Sequence, residues 1–512
     1  MFKRSAGILA HPTSFPGRYG IGDLGEAAYQ FVDFLVEAKQ SLWQILPLGP
    51  TGYGDSPYQC FSAFAGNPLM ISPDRLVEEG YLSAEALQSV PDFPTDEVDF
   101  GWVIHWKLPV LEQAYLYFLD NGTTQQRSAF EAFQREQASW LHDYALFVAI
   151  KNQHVAHAGG VWNTWPRAIA MREPEAMARW EEDLSAEIEQ TKFWQFLFFD
   201  QWLKLKTYAN EQDIQIIGDI PIFVAFDSAD VWSAPERYHL DEDGEPLVIA
   251  GVPPDYFSVT GQRWGNPLYR WEKMQANGFA WWVSRIQATL QLVDIVRIDH
   301  FRGFDAYWEI PASEPTAVKG QWVKAPGRAL FEALRAELGD LPIIAEDLGV
   351  ITPEVEALRD DFGLPGMKIL QFAFGGAQEN VFLPFNYSTN YVVYTGSHDN
   401  ETTLGWYKNA SKREQDFVRR YLARDGHDIA WDMIRLAHAS VANTSVIPLQ
   451  DIMVLGNEAR MNFPGKVGGY WAWRYTDNML ADWMKARLKD MTELYGRAPL
   501  EEVEEVLDLE GE

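Results

Sequence analysis

Short apolar runs recur along the chain, and many of them end in polar or charged residues. Eight runs predict β-strands: residues 7–11, 42–48, 214–222, 292–298, 342–346, 367–374, 391–395 and 445–454. Segments between them, such as 25–39, 329–338 and 412–422, carry apolar residues at helical spacing. Ser411 and Glu414 have the spacing of a capping box at the start of the last segment. Alternating buried strands and helices predict a parallel sheet, and eight such units predict a closed (β/α)8 TIM barrel of the α/β class.

The predicted strands are unevenly spaced. A mainly helical, Trp-rich segment at about 50–213 separates the second strand from the third. Because long structureless loops are rare in compact domains, it is expected to be an inserted subdomain. A second insertion, at about 226–270, holds Gly, Pro and aromatic residues with little periodicity and is expected to be a binding loop. We expect a catalytic unit over 1–498, with no β-sandwich domain after the barrel, and an acidic tail over 499–512.

Composition and net charge limit the classes of molecule that the protein is expected to bind. The net charge of -31 argues against nucleic acid and against anionic membrane surfaces. No apolar run approaches the roughly 20 residues that span a bilayer, and the single cysteine, Cys60, cannot form an intrachain disulfide. These features predict a cytoplasmic protein. The 21 Trp residues beside an acidic surface suit a neutral, hydroxyl-rich ring such as a sugar, whose C–H faces pack on aromatic rings.

Three of the predicted strands deliver an acid at or just beyond their ends. Asp299, Glu346 and Asp399 would end the fourth, fifth and seventh strands. Each acid alone is more typical of a solvated strand end or a helix N-cap. In a barrel, however, the C-terminal strand ends converge on one mouth, so together they predict a carboxylate active site. Cleavage of an acetal needs one acid for the leaving oxygen and a second carboxylate for the sugar carbon or for water.

Neighbouring residues suggest different roles for the acids. Arg297 lies two residues before Asp299, on the same strand face, and its guanidinium is expected to keep Asp299 ionised as a nucleophile requires. Glu346 follows an apolar stretch that could raise its pKa and keep it protonated as a general acid. Asp219, near the end of the third strand, is a weaker candidate for the same mouth. Asp347 alternates away from Glu346 and is expected to be structural.

A metal site is the main alternative chemistry. His300 and His398, with the adjacent acids, could in principle coordinate zinc, but they lack metal-ligand spacing. His11 is followed by Pro12 and has no second histidine in a His-x-His pair. No glycine-rich segment has the pattern of a phosphate-binding loop. We therefore expect no metal and no cofactor, with His398 donating to a sugar hydroxyl and His300 pointing away as a structural residue.

Several long motifs carry a family resemblance. They are HPTSFPG at 11–17, WQILPLGPTG at 43–52, GDIPI at 218–222, RIDHFRG at 297–303, AEDLG at 345–349, SHDNETT at 397–403 and NFPG at 462–465. Over nearly its full length the chain resembles the 4-α-glucanotransferases (amylomaltase, or disproportionating enzyme) of the α-amylase clan. One departure is Phe15, where Leu is expected.

The resemblance implies a role for each site residue. Asp299 would be the nucleophile, Glu346 the general acid/base and Asp399 the transition-state stabiliser. Other positions that match substrate-binding residues are Tyr58, Asp219, Arg297 and His398 around the covalently attached sugar, Trp264 on the loop that covers the cleft, and Asn462.

The implied reaction is a retaining transfer from an α-1,4-glucan donor to the 4-hydroxyl of a second glucan or of glucose. Its implied partners are maltooligosaccharides, amylose and glucose, and the expected assembly is a monomer or a homodimer. A hydrolase of the same clan would use the same three acids. A non-catalytic glucan-binding protein is the other alternative, although the presence of all three acids argues against it.

Overall fold

Eight parallel strands form the centre of the molecule. The computed structural model describes residues 3–155, 160–254, 258–376, 379–466 and 468–499. The strands are β1 (Ser5–Leu9), β2 (Leu42–Gln44), β3 (Gln215–Pro221), β4 (Ile295–Asp299), β5 (Ile343–Ala345), β6 (Gly366–Ile369), β7 (Tyr391–Tyr394) and β8 (Thr444–Pro448). They are ordered β6-β7-β8-β1-β2-β3-β4-β5. The Ala345 N–H donates to the Pro365 carbonyl at 2.9 Å and brings β5 to β6. The sheet is therefore a nearly closed barrel, which confirms the predicted fold class.

Seven of the eight strands are shorter than the apolar runs that predicted them, and β1 is equally long. The run at 42–48 leaves the ladder after Gln44, and the run at 445–454 does so after Pro448 and continues as the helix Leu449–Ile452. Pro47 and Pro448 have no backbone N–H to extend a ladder. The remaining apolar residues of these runs stay buried apart from Val454, which is half-buried.

Helices alternate with the strands and cover the barrel. The α-helices are Glu26–Glu37, Pro73–Glu78, Phe100–Asn121, Thr124–Glu136, Leu141–His154, Arg167–Ala170, Pro174–Asp183, Ser185–Glu211, Ala229–Ser233, Trp271–Ala276, Ala280–Leu292, Gly327–Leu338, Pro353–Asp361, Thr403–Asn409, Lys412–Leu422, Ile429–Ala439, Leu449–Ile452 and Asp482–Leu494. The capping box predicted at Ser411 and Glu414 is present. None of the helices in the described ranges is long and apolar enough to cross a membrane.

The segment between β2 and β3 is mainly helical, as expected. Its helices meet through aromatic side chains, and the rings of Phe118 and Phe193 stack with their centroids 4.5 Å apart. The indole of Trp202 donates to the Leu292 carbonyl at 2.8 Å and ties the insertion to the barrel. Most of its buried apolar residues belong to the same continuous hydrophobic core as the barrel strands, while Leu69, Phe93, Val98, Phe100 and Val103 form a small separate cluster with Ile21.

The segment at 226–270 is not simply the binding loop that its composition predicted. It contributes the strands Val248–Val252 and Gln262–Pro267 to a four-stranded antiparallel sheet, whose other strands, Ala306–Pro311 and Gln321–Lys324, come from the connection between β4 and β5. One face of this sheet buries Ile249 and Ile310 in a small separate core. The prediction was incomplete because short strands that pair across more than 40 residues leave no local periodicity.

The C-terminal part of the described chain runs back along the barrel. In the ranges that the structure describes, no strand follows β8, and the helix Asp482–Leu494 is the last regular element. The predicted acidic tail, 499–512, lies outside the described residues apart from Pro499.

Candidate active site

The three predicted acids meet at the C-terminal mouth of the barrel. Asp299 is the last residue of β4, Glu346 follows β5 directly, and Asp399 lies in the loop after β7. The charge of Asp299 acts on Glu346, and the charge of Asp399 acts on Asp299. The structure therefore brings the three acids named from the sequence to the same mouth.

Arg297 connects two strands of the barrel. Its Nη1 donates to both carboxylate oxygens of Asp219, at 2.7 and 2.5 Å, and its Nη2 donates to Asp299 Oδ1 at 3.0 Å. The pairing follows from the fold, since Asp219 on β3 and Arg297 on β4 are direct partners in the parallel ladder. The Arg297 and Asp219 side chains are only 3% and 0% exposed, so this ion pair is fully buried.

Tyr58 completes the network on the side of Asp219. Its hydroxyl donates to Asp219 Oδ2 at 2.9 Å. Burial, followed by the Asp219 charge, raises the pKa of Tyr58 well above its usual value, so the phenol keeps its proton. Asp219 thus accepts hydrogen bonds from both Tyr58 and Arg297, and it holds these two side chains beside Asp299.

The main chain holds the Glu346 carboxyl. The His300 N–H donates to Glu346 Oε2 at 2.6 Å, and the Leu348 N–H donates to Oε1 at 2.8 Å. Burial, and next the charge of Asp299, raise the pKa of Glu346 to about 8. Glu346 is therefore protonated at neutral pH, as its apolar approach predicted.

Arg297 does not by itself set the pKa of Asp299, in contrast to the prediction from sequence. Burial raises the pKa of Asp299 to about 6, and the guanidinium of Arg297 opposes this shift without cancelling it. The prediction considered only the neighbouring positive charge, whereas the loss of water at the barrel mouth outweighs it. Even so, the pKa of Asp299 stays below that of Glu346. Between these values Asp299 is ionised and Glu346 carries a proton.

Residues after β8 fix the position of Asp399. The Asn462 Nδ2 donates to Asp399 Oδ1 at 2.6 Å, and its N–H donates to the His398 carbonyl at 3.1 Å. Arg460 donates from Nη2 to the Asp399 carbonyl at 2.7 Å and from Nε to the Asn462 carbonyl at 2.6 Å. Sequence reasoning identified Asn462 and missed Arg460, whose only signal was its position two residues earlier.

An aromatic group borders the same side of the mouth. The ring of Tyr58 stacks on the His398 imidazole with centroids 5.1 Å apart, and Trp471 lies 5.7 and 5.9 Å from these two rings. Trp471 has a φ of 67°. A left-handed backbone is rare for a bulky residue and is often found at functional sites. Trp471 was not predicted, because backbone conformation is not visible in the local sequence.

Trp264 lies on the strand Gln262–Pro267 of the antiparallel sheet. Its ring stands edge-on to the His300 imidazole, with centroids 4.8 Å apart. His300 was predicted to point away as a structural residue, and its ring is indeed buried. Its backbone nevertheless takes part in the site, because a φ of 54° directs the N–H towards Glu346. Asp347, also predicted to be structural, accepts from the Met367 N–H at 2.7 Å and pairs with Arg359.

No group of three or more His, Cys, Asp and Glu in the described residues is arranged to hold a metal ion. The chemistry visible at the mouth is that of two carboxyl groups, a buried, protonated Glu346 and a half-buried, ionised Asp299, surrounded by hydroxyl, imidazole and guanidinium donors. Such a pair can protonate a leaving oxygen and attack a sugar carbon.

Known proteins similar to this chain have the glucan-transferring activity that its sequence motifs imply. The family profile of glycoside hydrolase family 77, described as 4-alpha-glucanotransferase, matches residues 10–480. The chain belongs to the 4-alpha-glucanotransferase family. It is 55% identical over 499 residues to the 4-alpha-glucanotransferase of Synechocystis sp., spanning 97% of this chain and 98% of that one. It is 54% identical over 498 residues to the Thermus thermophilus enzyme, spanning 96% and 98%.

The barrel also matches a solved structure of the family. The amylomaltase from Streptococcus agalactiae in complex with acarbose superposes with a TM-score of 0.94 at 42% identity, covering 97% of this chain and all of that one. The family resemblance found in the sequence is therefore confirmed. As a 4-alpha-glucanotransferase, the chain is a transglycosylating enzyme of starch and glycogen metabolism.

Proposed function

We propose that Asp299 and Glu346 carry out this transfer by a retaining double displacement. The supporting observation is that the two acids lie in different surroundings. Asp299 receives a hydrogen bond from Arg297, whereas Glu346 is held by main-chain N–H groups and has a pKa of about 8. A nucleophile must be ionised and a general acid protonated, and these environments separate the two states.

In the first step, an Asp299 oxygen bonds to the anomeric carbon of the donor glucan. The bond from that carbon to the O4 of the departing chain breaks, and Glu346 gives its proton to that oxygen. In the second step, ionised Glu346 takes the proton of the acceptor 4-hydroxyl. The acceptor oxygen bonds to the anomeric carbon, and the Asp299 carboxylate is released. Two inversions retain the α-configuration.

The residues around the acids are proposed to bind the sugar. Asp399, positioned by Asn462, would accept hydrogen bonds from ring hydroxyls. These bonds would strengthen as positive charge develops on the sugar ring in the transition state. His398 would donate a hydrogen bond to a sugar hydroxyl. Tyr58 and Asp219 would border the sugar that is covalently attached. The Streptococcus agalactiae relative binds acarbose, and we propose maltooligosaccharides, amylose and glucose as the partners of this chain.

The assignments are tested by Asp299→Asn and Glu346→Gln. Asp299→Asn should abolish redistribution of maltotriose, because no covalent intermediate can form. Glu346→Gln should lower transfer from maltotriose about 10²–10⁴-fold. It should still release fluoride from α-glucosyl fluoride to form the covalent intermediate, since fluoride leaves without a proton, while transfer from that intermediate to an acceptor stays slow because no base takes the 4-hydroxyl proton. Asp482→Asn, at a side chain 98% exposed on the last helix, is the matched control. Undiminished activity of Asp299→Asn would reject the nucleophile.

Transfer requires that the acceptor outcompete water at the covalent intermediate. We propose that Trp264 and the insertion that carries it exclude water, since Trp264 lies against His300 next to Asp299. Trp264→Ala should raise the ratio of free reducing ends to redistributed chains from maltotriose. Hydrolysis adds reducing ends and disproportionation leaves their number unchanged. An unchanged ratio would reject this role for Trp264.

The cellular setting is also a proposal. A single cysteine suits a reducing compartment, so we propose a cytoplasmic enzyme, present as a monomer or a homodimer. Size-exclusion chromatography with light scattering distinguishes these two states, and a larger mass would refute both.

A further inference from the structure

A small cavity lies beside His398, between the C-terminal ends of β1, β7 and β8. Its volume is about 30 Å³, and its wall includes His11, His398 and Gln450. A cavity of roughly 10–15 Å³ or more, lined by polar groups, can hold a water molecule. The cavity therefore has room for one water molecule, and its wall includes two imidazole rings that come from opposite halves of the sequence.

The position of the proton on the His11 ring is fixed. Its Nδ1 accepts the Leu46 N–H at 3.3 Å, so Nδ1 carries no hydrogen. Burial, and next the neighbouring His398, lower the pKa of His11 to about 3, which keeps the ring neutral. A neutral imidazole carries one N–H. The proton of His11 is therefore on Nε2, and a backbone amide of the barrel fixes this tautomer.

His398 lacks the partner that would fix its own tautomer. Its side chain is 4% exposed, and its Nδ1 has no hydrogen-bond partner within the described part of the chain. Its Nε2 lies 3.4 Å from Asp399 Oδ1. With the proton on Nε2, the ring donates towards this carboxylate and the sugar. With the proton on Nδ1, the ring turns a lone pair towards the carboxylate and loses its donor.

We propose that His11 is a positioning residue that fixes the tautomer of His398 through one water molecule held in this cavity. The water accepts the His11 Nε2–H and donates to His398 Nδ1, so the His398 proton resides on Nε2. A line of hydrogen bonds then runs from the Leu46 amide through both rings to the mouth of the barrel. Its effect on catalysis rests on the proposed role of His398; its effect on the tautomer does not.

Two substitutions of His11 separate the proposed role from simple structural support. Asn places an acceptor near the position of Nδ1 and can keep the Leu46 contact, but it does not reach the cavity. Gln places an N–H near the position of Nε2 and gives up the Leu46 contact. His11→Asn should therefore lower transfer from maltotriose about ten-fold, the effect of one hydrogen bond, and His11→Gln should stay closer to wild type. The opposite order would overturn the proposal.

NMR of the free enzyme with ¹⁵N-labelled histidines reads the tautomer directly, and His398→Gln assigns the signal. His398 should be protonated on Nε2 in the wild type and in His11→Gln, and should become a mixture in His11→Asn. A wild-type His398 protonated on Nδ1 would overturn the proposal without any His11 variant, even if both variants fold poorly. The measurement uses no substrate, so it is independent of the proposed catalytic roles, which fail separately if Asp299→Asn remains active.

Discussion

Replacing Arg297 by Met should expose how strongly the site depends on one buried guanidinium. Met keeps much of the apolar stem and removes the charge. The Asp219 carboxylate, which is 0% exposed, then keeps only the hydrogen bond from Tyr58. Removing one partner of a buried ion pair typically costs about 3–5 kcal/mol of unfolding free energy, because the remaining charge is uncompensated. We expect a loss of this size, measured by urea unfolding at pH 7.

Arg297→Met should also change the pH dependence of any residual transfer. The guanidinium opposes the rise of the Asp299 pKa, which is about 6 in the wild type. Without the guanidinium, Asp299 should become ionised only at higher pH, and the acid limb of the pH–activity profile should shift to higher pH. Adding Asp219→Asn removes the stranded charge and keeps an acceptor for Tyr58. The double variant should regain most of the lost stability, since a buried pair replaced by neutral groups is often tolerated.

Two results would refute this reasoning. A loss below about 1 kcal/mol in Arg297→Met would mean that the pair behaves like a solvated surface pair. A double variant as unstable as the single variant would mean that Arg297 stabilises the fold through packing rather than by compensating Asp219. Asp482→Asn serves as the control for the unfolding measurements.

Wild-type transfer should follow a bell-shaped pH profile with limbs near pH 6 and 8, since Asp299 must be ionised and Glu346 protonated; a flat alkaline side would contradict the acid assignment. Arg460→Ala should lower kcat about ten-fold by freeing Asp399, with little change in KM and partial rescue by Lys; a pure KM effect would argue against it. Burial lowers the pKa of Lys107 from its usual 10.5 to about 8. Between these pH values the unfolded chain holds the Lys107 proton more tightly than the folded chain, so the free energy of unfolding of the wild type should rise as the pH rises from about 8 to 10.5. Lys107→Met should remove this rise. If the urea unfolding midpoint of Lys107→Met depends on pH as it does in the wild type, the attribution to Lys107 is refuted.

The barrel was predictable because its signal is local. Each strand is a short apolar run, and the acids at three of the strand ends converge once the runs close into a barrel. The antiparallel sheet escaped prediction because Val248–Val252 pairs with Ala306–Pro311, more than 50 residues away, and the bulge between Ile249 and Gly251 disturbs its alternation.

Spacing alone predicted the contacts of the site that join residues close to each other in the sequence. Arg297 and Asp299 share a strand face, so their contact follows from spacing alone. Arg460, Trp471 and His11 act across the barrel mouth on residues from other strands, and nothing in their local sequence indicates it. The pKa order of Asp299 and Glu346 was predicted correctly, but the depth of burial that raises both values emerges only from the closed fold.

Holding the Glu346 carboxyl by main-chain N–H groups has an evolutionary consequence. The donors to Glu346 belong to the backbone of residues 300 and 348, so a change of side chain there does not remove them. Only proline would delete either donor, while the left-handed conformation at His300 favours residues such as Gly and Asn that tolerate it. The orientation of Glu346 is therefore inherited with the barrel itself, and sequences around it can diverge while the acid stays in place.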